Sequence, residues 1–575
     1  MKGAHWSLVV VGIVVALAGC APAGPTPRSS GSSDSISPTS AAPKSLVVAV
    51  KGEPEYFIFD FGSKGFGSVG TADLHLAVHQ GLATNDDRGA ILPMLATAIP
   101  SQENGSWVVR PDGTMKTTYQ LRPNITWHDG AALVPDDFVL GWQMVRDAEL
   151  PISATRSVAD LIRRIDAPDA NTLVLEWSNT YPFAHALTSS DLSPVPAHLL
   201  AETYRTDKER LPDLPYWKRE FIGLGPYQLS TWEPGSHLVL KSYRGFFGGQ
   251  AKIDTITVKF IPSEPTIVAN LLAGTVDGVI NRSLDFEQAM VVKNEWVKAG
   301  RRPVVISQPT HWRMLPFQFR DTRPTELSDV RVRRALVHAI DRQAIVDALL
   351  DGQSPVSDTF VTPDDVRWDR VKDVVTRYEY DPRRALELLS EAGWRRAGEG
   401  PVTNGAGDPV KFSLESTAVL EHTGTAAAPY WRTLGIDVEQ VTLSPGEGSD
   451  VRRVVQFPAV QVSNIPLSFQ HNLERLHGTR CPSDSNRWTG FNSGCYQNPQ
   501  NDRIADALKT EIVPTEQTRL WRDVVKLQTE DVPVVPMYFL VVVTIFRDGV
   551  TGVKGDTNPR QAATWNVAEW DVRAS

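Results

Sequence analysis

The sequence predicts an α/β protein, and two strand-like and two helix-like segments carry the prediction. Residues 45–50 form a β-branched run typical of a buried strand, and residues 255–261 alternate as a half-buried strand does. Apolar side chains recur at helical spacing over 330–350 and again over 383–392. Because such segments alternate without a repeat of fixed period, the chain is assigned to the α/β class and not to the solenoids.

Local end signals support two of the helices. Asp381 can cap the helix over 383–392, Pro382 suits its first position and Gly393 can end it. Further upstream, Asp136 can cap a helix that begins at Asp137.

Size and composition limit the class of protein. The chain has 575 residues, of which 41% are hydrophobic and 22% charged, as in soluble globular proteins with several substantial cores. Its formal net charge of -9 leaves no broad basic field for phosphate backbones, so nucleic acid is not an expected partner.

The N-terminus predicts export and lipidation. An apolar run over residues 8–17 has the length of a signal-peptide core and is short for a membrane span. The sequence LAGC that ends at Cys20 then resembles the bacterial lipobox, whose cysteine receives diacylglycerol. We therefore expect a signal peptide over 1–19, lipidation at Cys20, a disordered tether over 20–44, and a body at the outer face of the cytoplasmic membrane. The alternative is an uncleaved membrane anchor.

Two further cysteines, Cys481 and Cys495, close a short loop. An oxidising extracytoplasmic compartment favours a disulfide between them. Two free thiols or a metal site remain as alternatives, although His477 alone nearby makes a poor zinc set.

Motifs for catalysis are weak or missing. Residues 65–70 have GxGxxG spacing, but no clean strand precedes them, so a dinucleotide loop is rejected. The sequence contains no HExxH, GxSxG or GxxxxGK motif, and the pair His128 and Asp129 is interpreted as a surface turn. We interpret Arg331, Arg333 and Arg334 as a solvated helix face, with an anion site or a permease contact as alternatives. No catalytic residue, metal or cofactor is expected.

Several segments, in a fixed order, carry a resemblance to a known family. They are residues 119–130 with the sequence WHDG, 223–229 with GLGPY, 253–256, 271–277, 329–336, 380–385, 519–521 and 530–538. Together they resemble the extracellular solute-binding proteins, family 5, of oligopeptide, dipeptide and nickel ABC importers, and most of all the actinobacterial oligopeptide-binding members.

The resemblance implies a two-lobed periplasmic-binding-protein-like fold with a two-strand hinge and a ligand cleft between the lobes. One lobe is expected over 45–306 plus 533–575, with an inserted subdomain over about 76–195. The other lobe is expected over 307–532. The implied protein is a monomeric receptor that passes an oligopeptide or similar solute to ABC permease subunits and catalyses no reaction.

The resemblance also implies a set of ligand-binding candidates. They are Phe66, Gly67, Ser68, Trp142, Ser463, Asn464, Trp488, Phe491 and Tyr538. For each aromatic side chain, packing in a core is the alternative interpretation.

One departure from the family pattern bears on the ligand. Peptide-binding members place an aspartate for the ligand ammonium group in the stretch that corresponds to residues 461–466, and this chain has no carboxylate there. Asp450 or Glu474 can substitute, or the ligand is long, modified or not a peptide. Two rivals remain: a receptor of the same fold for sensing or cell-wall fragment recycling, and a secreted lipid-anchored hydrolase.

Overall fold

The computed structural model describes residues 43–58, 71–152, 156–280, 283–320, 325–467, 469–555 and 563–573. These residues belong to one compact unit that begins at Pro43. The predicted signal peptide and Cys20 lie outside the described residues.

Strands and helices alternate along the unit. The strands are β1 Ser45–Val50, β2 Ala83–Asn85, β3 Ile91–Pro93, β4 Trp107–Val109, β5 Met115–Gln120, β6 Ile162–Asp169, β7 Thr172–Trp177, β8 Tyr227–Glu233, β9 His237–Ser242, β10 Thr255–Phe260, β11 Gly278–Val279, β12 Val304–Pro316, β13 Arg395–Arg396, β14 Val402–Thr403, β15 Lys411–Thr417, β16 Asp437–Leu443, β17 Val460–Gln461, β18 Ser463–Pro466, β19 Val534–Phe546, β20 Val550–Thr551 and β21 Asp571–Val572. The helices are α1 Thr71–Val78, α2 Pro135–Arg146, α3 Arg156–Ala159, α4 Ala197–Thr206, α5 Glu264–Ala273, α6 Phe286–Lys298, α7 Val330–His338, α8 Arg342–Leu350, α9 Trp368–Val371, α10 Pro382–Glu391, α11 Glu421–Thr433, α12 Pro445–Ser449, α13 Val451–Val455, α14 Phe469–Arg475, α15 Pro499–Thr510 and α16 Pro514–Asp531.

The principal sheet has the strand order β18-β12-β19-β11-β1-β10-β9-β8. Both predicted strands are confirmed as β1 and β10, which pair in parallel with Ser45 beside Thr255. Four of the six residues of β1 are buried, including three in succession, as the β-branched run predicts for a strand covered on both faces. The sheet is therefore mixed, and it runs from the N-terminal half of the unit to the crossing strands.

Strands β12 and β19 join the two halves of the unit. They pair antiparallel along 13 residues each, with register shifts at Pro309/His311 and at Arg313/Met314. Buried clusters at one end of the pair draw on residues up to Trp296 and from Val543 onward. Clusters at the other end draw on residues 312–539. The two ends of each strand therefore pack in different hydrophobic cores, and the division lies near the middle of both strands.

The two N-terminal motifs, WHDG and GLGPY, meet in one hydrogen-bonded junction. The Nε2–H group of His128 donates to Gly225 O at 3.0 Å, and the Gly223 N–H donates to His128 Nδ1 at 3.1 Å. A Cβ on Gly223 would lie 2.0 Å from Val78 O, so only glycine fits beside the end of α1. His128 is therefore a half-buried structural residue and not part of a plain surface turn.

Beside this junction, a four-stranded sheet in the order β4-β5-β7-β6 packs with helix α2. The expected cap at Asp136 is wrong, because α2 begins at Pro135 and Asp137 accepts from the Val134 N–H at 3.0 Å. Asp137 is buried, and it also accepts from the indole N–H of Trp127 at 3.0 Å. The carboxylate that follows the predicted one therefore anchors the helix to the WHDG turn.

The second half contains a parallel sheet, β16-β15-β17, with α11 packed on it. The continuous helix predicted over 330–350 is wrong: α7 ends at His338, and the side chain of Asp341 accepts from the Ala344 N–H to cap a new helix, α8. The predicted helix at 383–392 is confirmed as α10. Asp381 accepts from two backbone N–H groups at its start, and Gly393 follows its end with φ of 94°.

The interpretation of three arginines as a solvated face is wrong for Arg333. Its guanidinium is buried and donates to the carbonyl oxygens of Leu327, Ser328 and Asp531, and to the Asp531 carboxylate at 2.9 Å. Arg334 donates to Glu530 O at 2.9 Å. These donors hold the C-terminal end of α16 against α7.

Three histidines at the motif junction, of which His79 is buried and the other two are half-buried, make the stability depend on pH. Burial lowers the pKa of His128 to about 4 and lowers the pKa values of His75 and His79, although backbone carbonyls oppose the effect. In the unfolded chain these groups bind a proton near pH 6.5, whereas the folded protein binds it only at lower pH. Stability is therefore complete above about pH 6.5 and is lost as pH falls toward about 4, by ~1.4 kcal/mol per pH unit for each fully uncoupled histidine.

We predict that His128→Gln reduces the slope of unfolding free energy against pH by the contribution of one histidine. The measurement is urea unfolding of the wild type and the variant at several pH values between 7.5 and 4.5. His422→Gln is the matched control, since His422 is exposed, and it should keep the wild-type slope. An unchanged slope in His128→Gln would contradict the assignment.

Candidate ligand-binding site

The segment over residues 460–466 passes from one sheet to the other. Strand β17 pairs with β15, and the Val462 N–H donates to Glu415 O at 2.7 Å. Strand β18 then pairs antiparallel with β12. Because β18 is the last strand of the principal sheet, one side of its backbone has no partner strand among the described residues.

The hydrogen-bond alternation shows which groups face the open side of β18. The Leu467 N–H donates to Thr310 O at 2.9 Å, which makes these residues a hydrogen-bonded pair. In an antiparallel ladder such pairs alternate, so the backbone groups of Asn464 and Pro466 point away from β12. Proline has no N–H, and Asn464 therefore supplies the outward donor while both residues supply carbonyl oxygens.

Two predicted site residues, Asn464 and Tyr538, lie on either side of Arg313 across the sheet. Asn464, Arg313 and Tyr538 are cross-strand neighbours on β18, β12 and β19, so their side chains share one face. Tyr538 is buried, and its hydroxyl shares a 2.8 Å hydrogen bond with Thr423 Oγ1 at the start of α11. This geometry fits the core-packing interpretation of Tyr538.

Arg313 is a residue that the sequence interpretation missed. Its side chain is 6% exposed, and its Nε and Nη1 atoms are buried without a hydrogen-bond partner. Burial lowers the pKa of Arg313, and the Tyr538 hydroxyl acts in the opposite direction. A guanidinium stays charged at neutral pH, so this is a desolvated cation. None of the ion pairs in the described part of the chain includes it.

The other face of β18 carries a second cation, the half-buried Arg475. Ser463, a predicted site residue, accepts from Arg475 Nη2 at 2.7 Å. Burial lowers the pKa of Arg475 to about 9, and its Nε has no hydrogen-bond partner. Arg475 lines a small recess with Met314 and Phe319. Cationic groups therefore lie on both faces of β18, in the stretch where the family pattern places an aspartate.

The cysteine loop is fastened beside the end of β12. Cys481 and Cys495 form a disulfide with their Cα atoms 4.7 Å apart. The Phe319 N–H donates to Gly494 O at 2.7 Å, and a Cβ on Gly494 would lie 2.2 Å from Phe317 O. This close approach requires glycine and fixes the loop against the crossing strand.

The aromatic candidates in this loop contact arginines. The Arg452 and Arg320 guanidinium groups lie 4.8 and 5.7 Å from the Trp488 ring centre. Arg480 lies 5.3 Å from the ring centre of Phe491, which is exposed. The rings thus belong to a cationic surface near β18, where cation–π contacts stabilise them.

The remaining candidates are not brought to β18 by the described residues. Trp142 packs against two core clusters of the N-terminal half, and its indole N–H donates to Ala159 O at 3.1 Å. Phe66, Gly67 and Ser68 lie outside the described residues.

The two proposed substitute carboxylates, Asp450 and Glu474, both have partners within the protein. Asp450 accepts from the N–H groups of Arg452 and Arg453 at the start of α13. Glu474 forms an ion pair with Arg480 at 3.0 Å. Both carboxylates are therefore engaged in the fold.

Two kinds of feature are absent from the described residues. No group of three or more His, Cys, Asp or Glu residues there is arranged to hold a metal ion. Within the same residues, no helix combines the length and the apolar character that a membrane crossing requires.

Two α/β halves joined by a pair of crossing strands, with an open strand edge beside the crossing, define a two-lobed solute-binding protein. The family model for bacterial extracellular solute-binding proteins, family 5, matches residues 93–470. The chain therefore belongs to this family, and the expected fold class is confirmed. Membership also confirms a substrate-binding protein and not an enzyme, which removes the hydrolase alternative.

Known relatives extend over most of the chain. The oligopeptide-binding protein AppA of Bacillus subtilis is 22% identical over 505 residues, which cover 86% of each chain. Its crystal structure with a nonapeptide matches with a TM-score of 0.63 and 19% identity, covering 92% of this chain and all of AppA. The substrate-binding protein CtaP of Listeria monocytogenes matches with a TM-score of 0.71 and 17% identity, covering 92% of this chain and 99% of its own.

We predict that removing the disulfide destabilises the body of the protein. The double variant Cys481→Ser with Cys495→Ser should lose ~3 kcal/mol of unfolding free energy, because the bond closes a loop of 14 residues in the unfolded chain. Urea unfolding of residues 43–575 measures the loss. Reduced wild type is the control and should unfold as the variant does, and equal midpoints for oxidised wild type and variant would contradict the prediction.

Proposed function

We propose that this protein is the lipid-anchored receptor of an ABC importer and that it captures oligopeptides or similar extended solutes. Family membership supports the receptor role. The apolar run and the lipobox ending at Cys20 support an anchor at the outer face of the cytoplasmic membrane. The receptor acts as a monomer and delivers its ligand, unaltered, to the permease subunits.

The open edge of β18 is the observation that carries the ligand class. An extended peptide can add to a sheet edge, where backbone hydrogen bonds provide affinity that does not depend on the peptide sequence. Asn464 turns one N–H and one C=O toward that edge, and Pro466 adds a second C=O. A ligand strand at this edge would lie about 4.8 Å from β18. AppA, a relative of this chain, has been solved in complex with a nonapeptide.

The two ends of β12 and of β19 pack in different hydrophobic cores, which supports two lobes joined by a hinge. The packing favours crossings at about 306–312 in β12 and about 540–543 in β19, the second several residues later than the sequence boundary at 533. Two apolar contacts bring the lobes together: Ile512 packs against the N-terminal cluster, and Phe286 packs against clusters of both lobes. A ligand that contacts both lobes shifts the equilibrium toward this closed arrangement.

We predict that Asn464→Pro weakens peptide binding at least tenfold. The substitution removes the outward N–H but no ladder hydrogen bond to β12. Asn464→Ala is the matched control: it changes the side chain and keeps the N–H, so it should bind within about threefold of wild type. Calorimetric titration with peptides recovered from the native protein measures both. Equal affinity for Asn464→Pro and wild type, with unchanged melting temperatures, would contradict docking at this edge.

A separate prediction concerns the anchor. Cys20→Ser should move the full-length protein from the detergent phase to the aqueous phase in a phase-partition assay, because stable membrane attachment requires the acyl chains. The Cys481→Ser, Cys495→Ser double variant controls for cysteine loss and should stay in the detergent phase. Retention of Cys20→Ser in the detergent phase would exclude lipidation as the anchor.

A further inference from the structure

Buried arginines in the second lobe differ in how their donors are satisfied. Arg333 is 3% exposed and Arg342 is 6% exposed. Arg333 donates to four carbonyl groups and a carboxylate. Arg342 donates to Ser357 O, Tyr378 O and the Asp358 carboxylate at 2.6 to 2.9 Å. The two buried arginines that stabilise the fold of the second lobe therefore have hydrogen-bond acceptors for their N–H groups.

Arg313 is as buried as Arg342, but its guanidinium lacks a comparable set of hydrogen-bond acceptors. It is also 6% exposed, yet its Nε and Nη1 atoms lack partners. A buried cation without a counter-ion destabilises the conformation that buries it. Apart from the hydrogen bond to the Tyr538 hydroxyl, contacts within the protein leave these donors unsatisfied.

The location of Arg313 indicates what its missing partner is. Its cross-strand neighbour Asn464 lies on the edge strand that carries the proposed docking edge, and both side chains share a face. Arg313 also lies at a register shift of β12, next to the stretch where the core changes over between the lobes. An acceptor brought by a ligand at this edge is the group that can reach the guanidinium.

We propose that Arg313 is a specificity-determining residue that pairs with a carboxylate of the ligand, so that the receptor selects peptides by an anionic group beside β18. This inference rests on the proposed function. A carboxylate matches the planar donor set of a guanidinium and can accept from two of its nitrogens at once. The carboxylate comes either from the peptide C-terminus or from an acidic side chain.

Selection arises because the burial of Arg313 and its pairing with a carboxylate are coupled. Neither unpartnered nitrogen is accessible to solvent in the present arrangement, so an acceptor reaches them through a rearrangement of the surrounding side chains. Without an anion, the conformation that buries Arg313 is disfavoured. With a carboxylate present, the same burial strengthens the pairing, and the population shifts toward the conformation that holds the ligand.

The experiment compares three synthetic peptides with free amino termini: pentaalanine, pentaalanine amide, and Ala-Ala-Glu-Ala-Ala amide. Each is titrated into the wild type, Arg313→Met and Arg313→Lys by calorimetry. The melting temperatures of the ligand-free proteins are measured alongside. Arg342→Met is the matched control for loss of an equally buried arginine that has acceptors.

The wild type should bind one or both carboxylate peptides at least tenfold more tightly than the amide, and the preferred one identifies the source of the carboxylate. Arg313→Met should bind all three alike, and Arg313→Lys should keep part of the preference. Ligand-free Arg313→Met should melt at or above the wild type, whereas Arg342→Met should melt well below it.

Other results would overturn the inference. A carboxylate preference that survives in Arg313→Met, or a melting temperature lowered as far as in Arg342→Met, would make Arg313 a structural residue. Equal binding of all three peptides by the wild type would reject the anion subsite and leave the peptide receptor standing. Absence of binding to any of the three would reject the peptide receptor and this inference with it.

Discussion

The antiparallel pairing of β12 with β19 is the constraint on which the rest of the structure depends. Each strand contributes 13 residues, and the hydrophobic clusters of the two halves pack on opposite ends of the pair. The register shift at Pro309/His311 lies in the stretch where the core changes over. Because a bulge breaks the ladder locally and bends the strand, flexibility is placed between two rigid ends.

Rigidity at the second-lobe end has an identifiable cause. Helix α16 leads directly into β19, and Val532 between them takes a positive φ of 47°, which is unfavourable for a β-branched residue. Arg333 compensates by donating to the carbonyl oxygens of Asp531 and Val532. These contacts hold the second-lobe end of the strand pair in place, and the face that carries Arg313 and Tyr538 belongs to that end.

Local features were predictable from the sequence, and features that depend on distant partners were not. Strand β1 and the Asp381 cap need only neighbouring residues, so both were predicted correctly. The break at Asp341 was missed because Ala339 and Ile340 continue the apolar spacing, although the aspartate itself was a usable signal. Arg313 could be noticed only as a lone charge in the stretch that forms β12. Its missing partner becomes visible only when β18 and β19 lie beside it.

The same geometry bears on how a peptide would be oriented in the cleft. By resemblance, an aspartate is expected near β18 to hold the ligand ammonium group, whereas this chain has Asn464 beside the unpaired Arg313. An ammonium group 4 Å from that guanidinium would be repelled by about 4 kcal/mol at the effective dielectric constant typical of protein sites. A carboxylate at the same distance would be attracted to a similar degree. Electrostatics therefore favours a ligand that turns its negative end toward this strand and its amino terminus away from it.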